Sequence, residues 1–454
     1  MKMWNIAGLL LTLLVATVLE SSLGAAEPWT LERALDYALS HNPDARIAQQ
    51  RIAAAQAGLE QANSTFWPRL QVQSGYTRTD NPMMAFGDIL NQRAYNYSSP
   101  PDFNNLPDVD NFNARGVATV PLYAGGRNLA GRQAAKASTE AAKQDSGAVR
   151  NALGFEVARA FHTVLKTRQF IQAAAATVHA FETNLIVAGK RLDGGTLLKS
   201  DVLDLEVRLA QAREDLVRAR NTNTLAERAL RNLLGLEEGE FTVADTAPVV
   251  SAPDSGDFTQ RPELAAARER ESAAGAQIRG SKSGYQPRVS AFGSLDYDHG
   301  WVTGGDGKSY TAGVLAQWDL WDGFFTRSKV REARANLESA REEQRKLRLA
   351  LNYEVEQARL NLNAAVERLA VTRKTVEQAT ESAGLTRNRF EQGLALSTQL
   401  IDSESALVSA RVRRAEAESD ERIAVAALRK ALALPQLDVP PNAQSYERYF
   451  PETW

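Results

Sequence analysis

The chain has 454 residues, 53 Lys+Arg against 55 Asp+Glu, and no cysteine. A formal charge of −2 without any long Lys/Arg block leaves no nucleic-acid footprint. The missing thiol excludes disulfides, thiolate metal sites, cysteine nucleophiles and the lipid-anchoring cysteine of a bacterial lipoprotein.

Residues 1–26 read as a secretory signal peptide. Lys2 supplies the positive start, residues 8–19 the apolar stretch, and Gly24, Ala25 and Ala26 a small-residue cleavage site before Glu27. The apolar run is shorter than the roughly 20 residues a spanning helix needs. No comparable run recurs after Glu27, so contact with a membrane has to come through β-strands.

A helix is expected from Asn42, a good N-cap with Pro43 at the first helical position, to just before Pro68. Two strands follow at about 69–78 and 112–122; in the first, Leu70, Val72, Ser74 and Tyr76 alternate with Gln71, Gln73, Gly75 and Thr77. The intervening stretch 79–111, rich in Asn, Asp and Pro, is expected to be an exposed, irregular loop. A proline-free helix over about 127–191, a glycine turn and a return helix over about 200–234 complete the series. A linker at 237–261 leads into a second series. It has a helix from Pro262, strands at about 288–298 and 309–320, a long helix over 327–389, a return helix over 397–432 and a tail at 435–454. Here Val289, Ala291, Gly293, Leu295 and Tyr297 share one strand face, and Tyr310, Ala312, Val314, Ala316, Trp318 and Leu320 another. This dyad pattern suits a transmembrane strand and equally a half-buried soluble hairpin. The long helices would each reach roughly 95 Å. Their apolar rows, such as Leu351, Val355, Ala358, Leu362, Val366 and Leu369, point to coiled-coil packing.

The two series are copies of one plan. Pro262 follows Pro43 by 219 positions, and the same offset carries Trp67-Pro68-Arg69 onto Gln286-Pro287-Arg288. From Leu122 onward the offset becomes 198 and holds through Val157 with Val355, Arg191 with Arg389, Gly195 with Gly393 and Leu234 with Leu432. The change in offset is confined to the loop between the paired strands, where insertions are tolerated. The repeats are placed at 27–236 and 262–434.

Catalytic and metal signatures do not emerge. His41, His162, His179 and His299 sit in no metal-ligand spacing, and no phosphate-binding glycine motif occurs. Gly125-Gly126 and Gly194-Gly195 are read as turn glycines with positive φ. Spacing singles out instead the turns after the long helices: Arg191, Gly194, Gly195 and Thr196 in one, Arg389, Gly393, Leu394 and Ala395 in the other. Asp201 and Asp204 follow the first turn, Asp402 and Glu404 the second. Acids there favour the positive end of a helix dipole; repeated around a tube end, they would form a cation-attracting ring.

The duplicated order, the Asn42-Pro43 and Trp67-Pro68 starts, the Pro121-Leu122-Tyr123 junction before Gly125-Gly126 and the Arg-to-Gly turns resemble the TolC-like outer-membrane efflux proteins. The resemblance covers about residues 30–435. It implies an α+β membrane channel: a long antiparallel α-helical barrel joined to a transmembrane β-barrel, four strands per subunit and twelve in a homotrimer. It implies no cofactor and no enzymatic activity. The implied partners are outer-membrane lipid, a periplasmic adaptor (membrane fusion) protein and an inner-membrane transporter of RND, ABC or MFS type, serving efflux or type I secretion in a Gram-negative bacterium. Loops 79–111 and 298–308 would be extracellular, and segments 237–261 and 435–454 would belt the tunnel's middle. By this resemblance Asp201, Asp204, Gln399 and Asp402 would line the periplasmic aperture. Gly194, Gly195, Thr196, Gly393, Leu394 and Ala395 would meet the adaptor. The prototype carries Tyr, Arg and Asp where this chain has Phe390, Ala395 and Gln399, so three of its polar gating contacts are missing. The competing readings are a periplasmic coiled-coil adaptor without a pore, which would carry one hairpin rather than two copies, and a cytosolic coiled-coil scaffold, which the signal peptide opposes.

Overall fold

The computed structural model describes residues 28–438, apart from 101, 103–105, 107, 239–240 and 254–256. The expected signal peptide and residues 439–454 of the tail therefore lie outside the described residues.

In chain order the elements are α1 (Leu31–His41), α2 (Pro43–Ser64), β1 (Arg69–Thr79), α3 (Pro82–Asn91), β2 (Val109–Tyr123), α4 (Arg127–Asp193), α5 (Lys199–Leu234), α6 (Pro262–Lys282), β3 (Arg288–His299), β4 (Asp306–Gln317), α7 (Phe325–Glu391) and α8 (Ser397–Ala431). α4 and α7 have 67 residues each, which at about 1.5 Å per residue is ~100 Å of helix. Among the described residues no helix is long and apolar enough to cross a membrane.

The described residues divide into two compact units: one from 28–50, 145–264 and 347–438, the other from 51–144 and 265–346. The first is helical. α1, which precedes the first helix expected from the sequence, starts where Thr30 Oγ1 accepts the Arg33 N–H at 3.2 Å. It buries Leu31, Ala34, Leu35, Ala38 and Leu39 along one stripe. That stripe packs with Val157, Phe161 and Val164 of α4 and Leu230 and Leu234 of α5. Each large side chain fully buried this way contributes about 1.5–3 kcal/mol. A matching cluster joins Val355, Ala358 and Leu362 of α7 to Val425, Leu428 and Leu432. Val366, expected on that row, is 50% exposed, and Ala365 takes the buried place. The period of 3.6 carries the stripe back one residue there.

The residue ahead of each helix-opening proline closes a junction. Asn42 caps α2 by accepting the Asp44 N–H at 2.7 Å, and its Nδ2 donates to Leu233 O at 2.8 Å. Arg261, 219 positions later, donates from Nη1 to Ala431 O at 3.4 Å. Each side chain thus serves a carbonyl left over at the end of a return helix. Linker and tail are tied down nearby: Trp29 bridges Val243, and Arg429 donates to Ser251 O, Pro435 O, Leu437 O and Asp438.

The second unit holds an antiparallel sheet in the order β1-β2-β3-β4. Its register sorts the side chains into two faces. Val72, Gly116, Leu295 and Tyr310 form one row, and Leu70, Ala118, Gly293 and Ala312 the next. Next to the first of these rows, on the opposite face, lie Gln73, Arg115, Asp296 and Ser309, with Arg115 and Asp296 3.4 Å apart. Leu70, Val72, Leu295, Tyr310 and Val314 are 65–85% exposed, an apolar surface that water does not favour. β4 ends at Gln317, so Trp318 and Leu320, expected on its face, lie beyond it. There Trp318 Nε1 donates to Tyr285 O at 3.2 Å and Arg288 pairs with Asp319 at 2.8 Å.

The stretch 79–111 is not wholly irregular. Asn81 Oδ1 caps α3 by accepting the Met83 and Met84 N–H groups at 3.1 and 3.3 Å. α3 then buries Ala85 and Ile89 against Leu106 and Val109. That packing also draws β2 back to Val109, three residues before its expected start.

Candidate functional site: the paired helical turns

The turns after α4 and α7 lie together in the helical unit. Each long helix ends on a glycine in the left-handed region, Gly195 at φ +69° and Gly393 at φ +78°. Gly194, expected to share that conformation, does not have a positive φ; its N–H closes the last turn onto Lys190 O at 3.0 Å. The next bonds match in the two copies. Thr196 N–H reaches Arg191 O at 2.9 Å and Leu394 N–H reaches Arg389 O at 2.8 Å. Thr196 Oγ1 also donates to Arg191 O at 3.1 Å.

The return helices begin alike. Asp201 Oδ2 accepts the Leu198 N–H at 3.3 Å, and Gln399 Oε1 accepts the Leu396 N–H at 3.2 Å. Asp201 and Gln399 are thus third-position residues reaching back to free amides at the helix start. A neutral amide performs in the second copy what a carboxylate performs in the first. Asp204 and Asp402 instead stand exposed. Glu404 is buried and held by Arg387, whose Nε lies 3.0 Å from its carboxylate.

Two side chains join one turn to the other. Arg191 donates from Nη1 to Phe390 O at 2.9 Å and from Nη2 to Thr196 O at 3.2 Å. Its guanidinium lies 4.8 Å over the Phe390 ring. Ser397, itself buried, donates to Asp201 Oδ1 at 2.6 Å. Beneath them Phe390, Phe181, Leu205, Leu209, Leu400 and Ile401 form an apolar cluster, with Ala395 at its margin. Phe390 is fully buried, whereas Leu394 is 73% exposed. These groups hold two turns together and present the Asp204 and Asp402 carboxylates to solvent. Sequence spacing identified Arg191 as part of a turn but not its partner Phe390, which lies 199 positions downstream.

The sequence profile of the outer membrane efflux proteins matches residues 34–236 and 258–434. The chain belongs to the outer membrane efflux protein family. Members of that family are outer-membrane channels of Gram-negative bacteria with a periplasmic tunnel, not enzymes. Protein CyaE of Bordetella pertussis is 24% identical over 322 residues, which is 68% of this chain and 64% of CyaE. The aligned region thus spans a little under two thirds of that relative. The outer membrane protein VceC of Vibrio cholerae superposes with a TM-score of 0.74 at 20% identity, covering 89% of this chain and 96% of VceC. The CmeC outer membrane channel of Campylobacter jejuni gives 0.77 at 14% identity, covering 92% and 89%. The fold is the one these channels share, an α-helical barrel with a β domain. Channels of this family work as trimers with a periplasmic adaptor and an inner-membrane transporter.

Proposed function

We propose that three copies of this chain close a twelve-stranded barrel in the outer membrane and passively conduct cargo to the exterior. The cargo is delivered by an inner-membrane transporter and a periplasmic adaptor, as in tripartite efflux or type I secretion. The observation that carries this reading is the four-stranded sheet. Its apolar face is exposed, its opposite face is polar, and β1 and β4 stand at its two edges. Four strands cannot close on themselves, and unpaired edges cannot face lipid. Joining β4 of each copy to β1 of the next removes every edge and turns the polar face to a water-filled lumen. Outer-membrane fractionation and heat-modifiable migration of the unboiled protein test this; a soluble periplasmic monomer refutes it.

At the periplasmic end, Asp201, Asp204, Gln399 and Asp402 form the aperture, and Gly194, Gly195, Thr196, Gly393, Leu394 and Ala395 the surface that meets the adaptor. The geometry supports a division of labour in which Asp201 and Gln399 fix the helix starts. The exposed Asp204 and Asp402 then supply the field felt by ions. Asp402→Ala is expected to lower cation preference in planar bilayers. Unchanged conductance and selectivity would remove Asp402 from the aperture.

A further inference from the structure

We infer that α3 folds inward over the external mouth of the barrel, where three copies of it constrict the exit. This rests on the trimeric-barrel reading above. The argument starts from strand parity. Val109, Asn111 and Asn113 of β2, Asp298 of β3 and Gly307 of β4 all belong to the polar face, since Asn113 pairs with Asp298 and Asp298 with Gly307. α3 and the residue after it meet that face at β2 and β4, and Asn111 links them to β3. Ala85 and Ile89 pack on Val109. Gln92, fully buried, donates from Nε2 to Asn111 Oδ1 at 3.0 Å and to Asp110 O at 2.7 Å. Asn111 Nδ2 then donates to Asp298 at 2.7 Å. At Gly307 a Cβ would stand 1.8 Å from Asn91 O, so the end of α3 lies directly on the polar side of β4.

The attachment is fixed rather than casual. Gln92 Oε1 accepts from Thr303 in the β3–β4 turn at 2.5 Å. Arg93 takes φ +53°, a costly conformation for a non-glycine residue, and donates from Nη2 to Lys308 O at 3.1 Å. In a membrane barrel the polar face is the lumen, so a helix seated on that face lies inside the wall. It sits at the strand ends remote from α4 and α7, which is the external end.

Size decides the consequence. Twelve strands about 4.8 Å apart and tilted ~45° enclose a cylinder roughly 26 Å across. Three helices, each about 10 Å thick, laid against that wall leave an opening below ~10 Å. Inside the barrel, equivalent residues of α3 in the three copies would stand roughly 10–15 Å apart; outside the wall, roughly 35 Å.

The absence of native cysteine makes the test direct. Met83 and Met84 are 80% and 54% exposed, so Met83→Cys and Met84→Cys, made separately in the full chain, each supply a single thiol. A short bismaleimide applied to outer membranes is expected to link pairs of subunits in at least one variant. Full labelling of both by a monofunctional maleimide, with no cross-linked pairs in an intact trimer, overturns the inward placement. Loss of the trimer in the unsubstituted chain would instead overturn the barrel reading on which the inference rests.

Discussion

Removing the Arg191 side chain should loosen the two turns from each other while leaving the backbone hydrogen bonds of each turn in place. In Arg191→Ala two links across the turns vanish: the bond to Phe390 O at 2.9 Å and the cation stacked 4.8 Å over the Phe390 ring. Charged donors contribute about 1.5–3 kcal/mol per hydrogen bond. Arg191 is half-exposed, so the lower end applies. The stacking adds ~0.5–1 kcal/mol at such a site. The loss is not inflated by an orphaned carbonyl, because Phe390 O keeps the Gly393 N–H at 3.0 Å. The bond between Ser397 and Asp201 also survives. Paired turns should therefore lose about 2 kcal/mol, roughly a thirty-fold shift toward separated turns. The purified trimer in planar bilayers reads this as the fraction of time spent in the higher-conductance state. Arg191→Lys should fall between, since an ammonium keeps the charge over the ring but not the planar fork. An Arg191→Ala trimer that gates like the unsubstituted protein would refute the reasoning.

Two glycine substitutions should differ sharply although both positions have positive φ. Gly195→Ala meets open space and should cost only about 1–2 kcal/mol of backbone strain, a modest fall in Tm. Gly125→Ala would place its Cβ 2.7 Å from Ser283 O, so it should sharply lower the yield of folded trimer on unboiled gels. His162 gives a pH signature. Burial first, and the nearby Arg422 second, hold its pKa down at about 4 against an ordinary 6.5. The unfolded chain therefore binds a proton that the folded chain refuses. Stability is fully present above about pH 6.5 and is lost as pH falls toward 4, by about 3 kcal/mol in all. Thermal unfolding in detergent should show this slope, and His162→Phe should flatten it; an equal slope in both proteins would count against a buried neutral imidazole.

Features that are local or periodic can be read along the chain. Helix composition, the proline starts, the alternation along the strands and the two offsets of the duplication all follow from spacing along the chain. α1 and α3 were legible in the same terms. Asn81-Pro82 repeats the Asn42-Pro43 signature, and Leu31, Ala34, Leu35, Ala38 and Leu39 keep a helical period. The polar setting of 79–111 and the brevity of both helices hid them.

Other features depend on contacts between distant parts of the fold. Asp201 and Asp402 look alike as acids near a helix start, yet one is engaged by Leu198 and Ser397 while the other faces solvent. Phe390, conspicuous only as a missing polar contact, is the ring over which Arg191 closes the two turns. The side of the sheet taken by α3 depends on Val109, Asn111 and Gly307, which share a face through pairing across three strands. Contacts between residues nearly two hundred positions apart leave no periodic trace in a single chain. They are set by which surfaces the folded elements bring within hydrogen-bond reach.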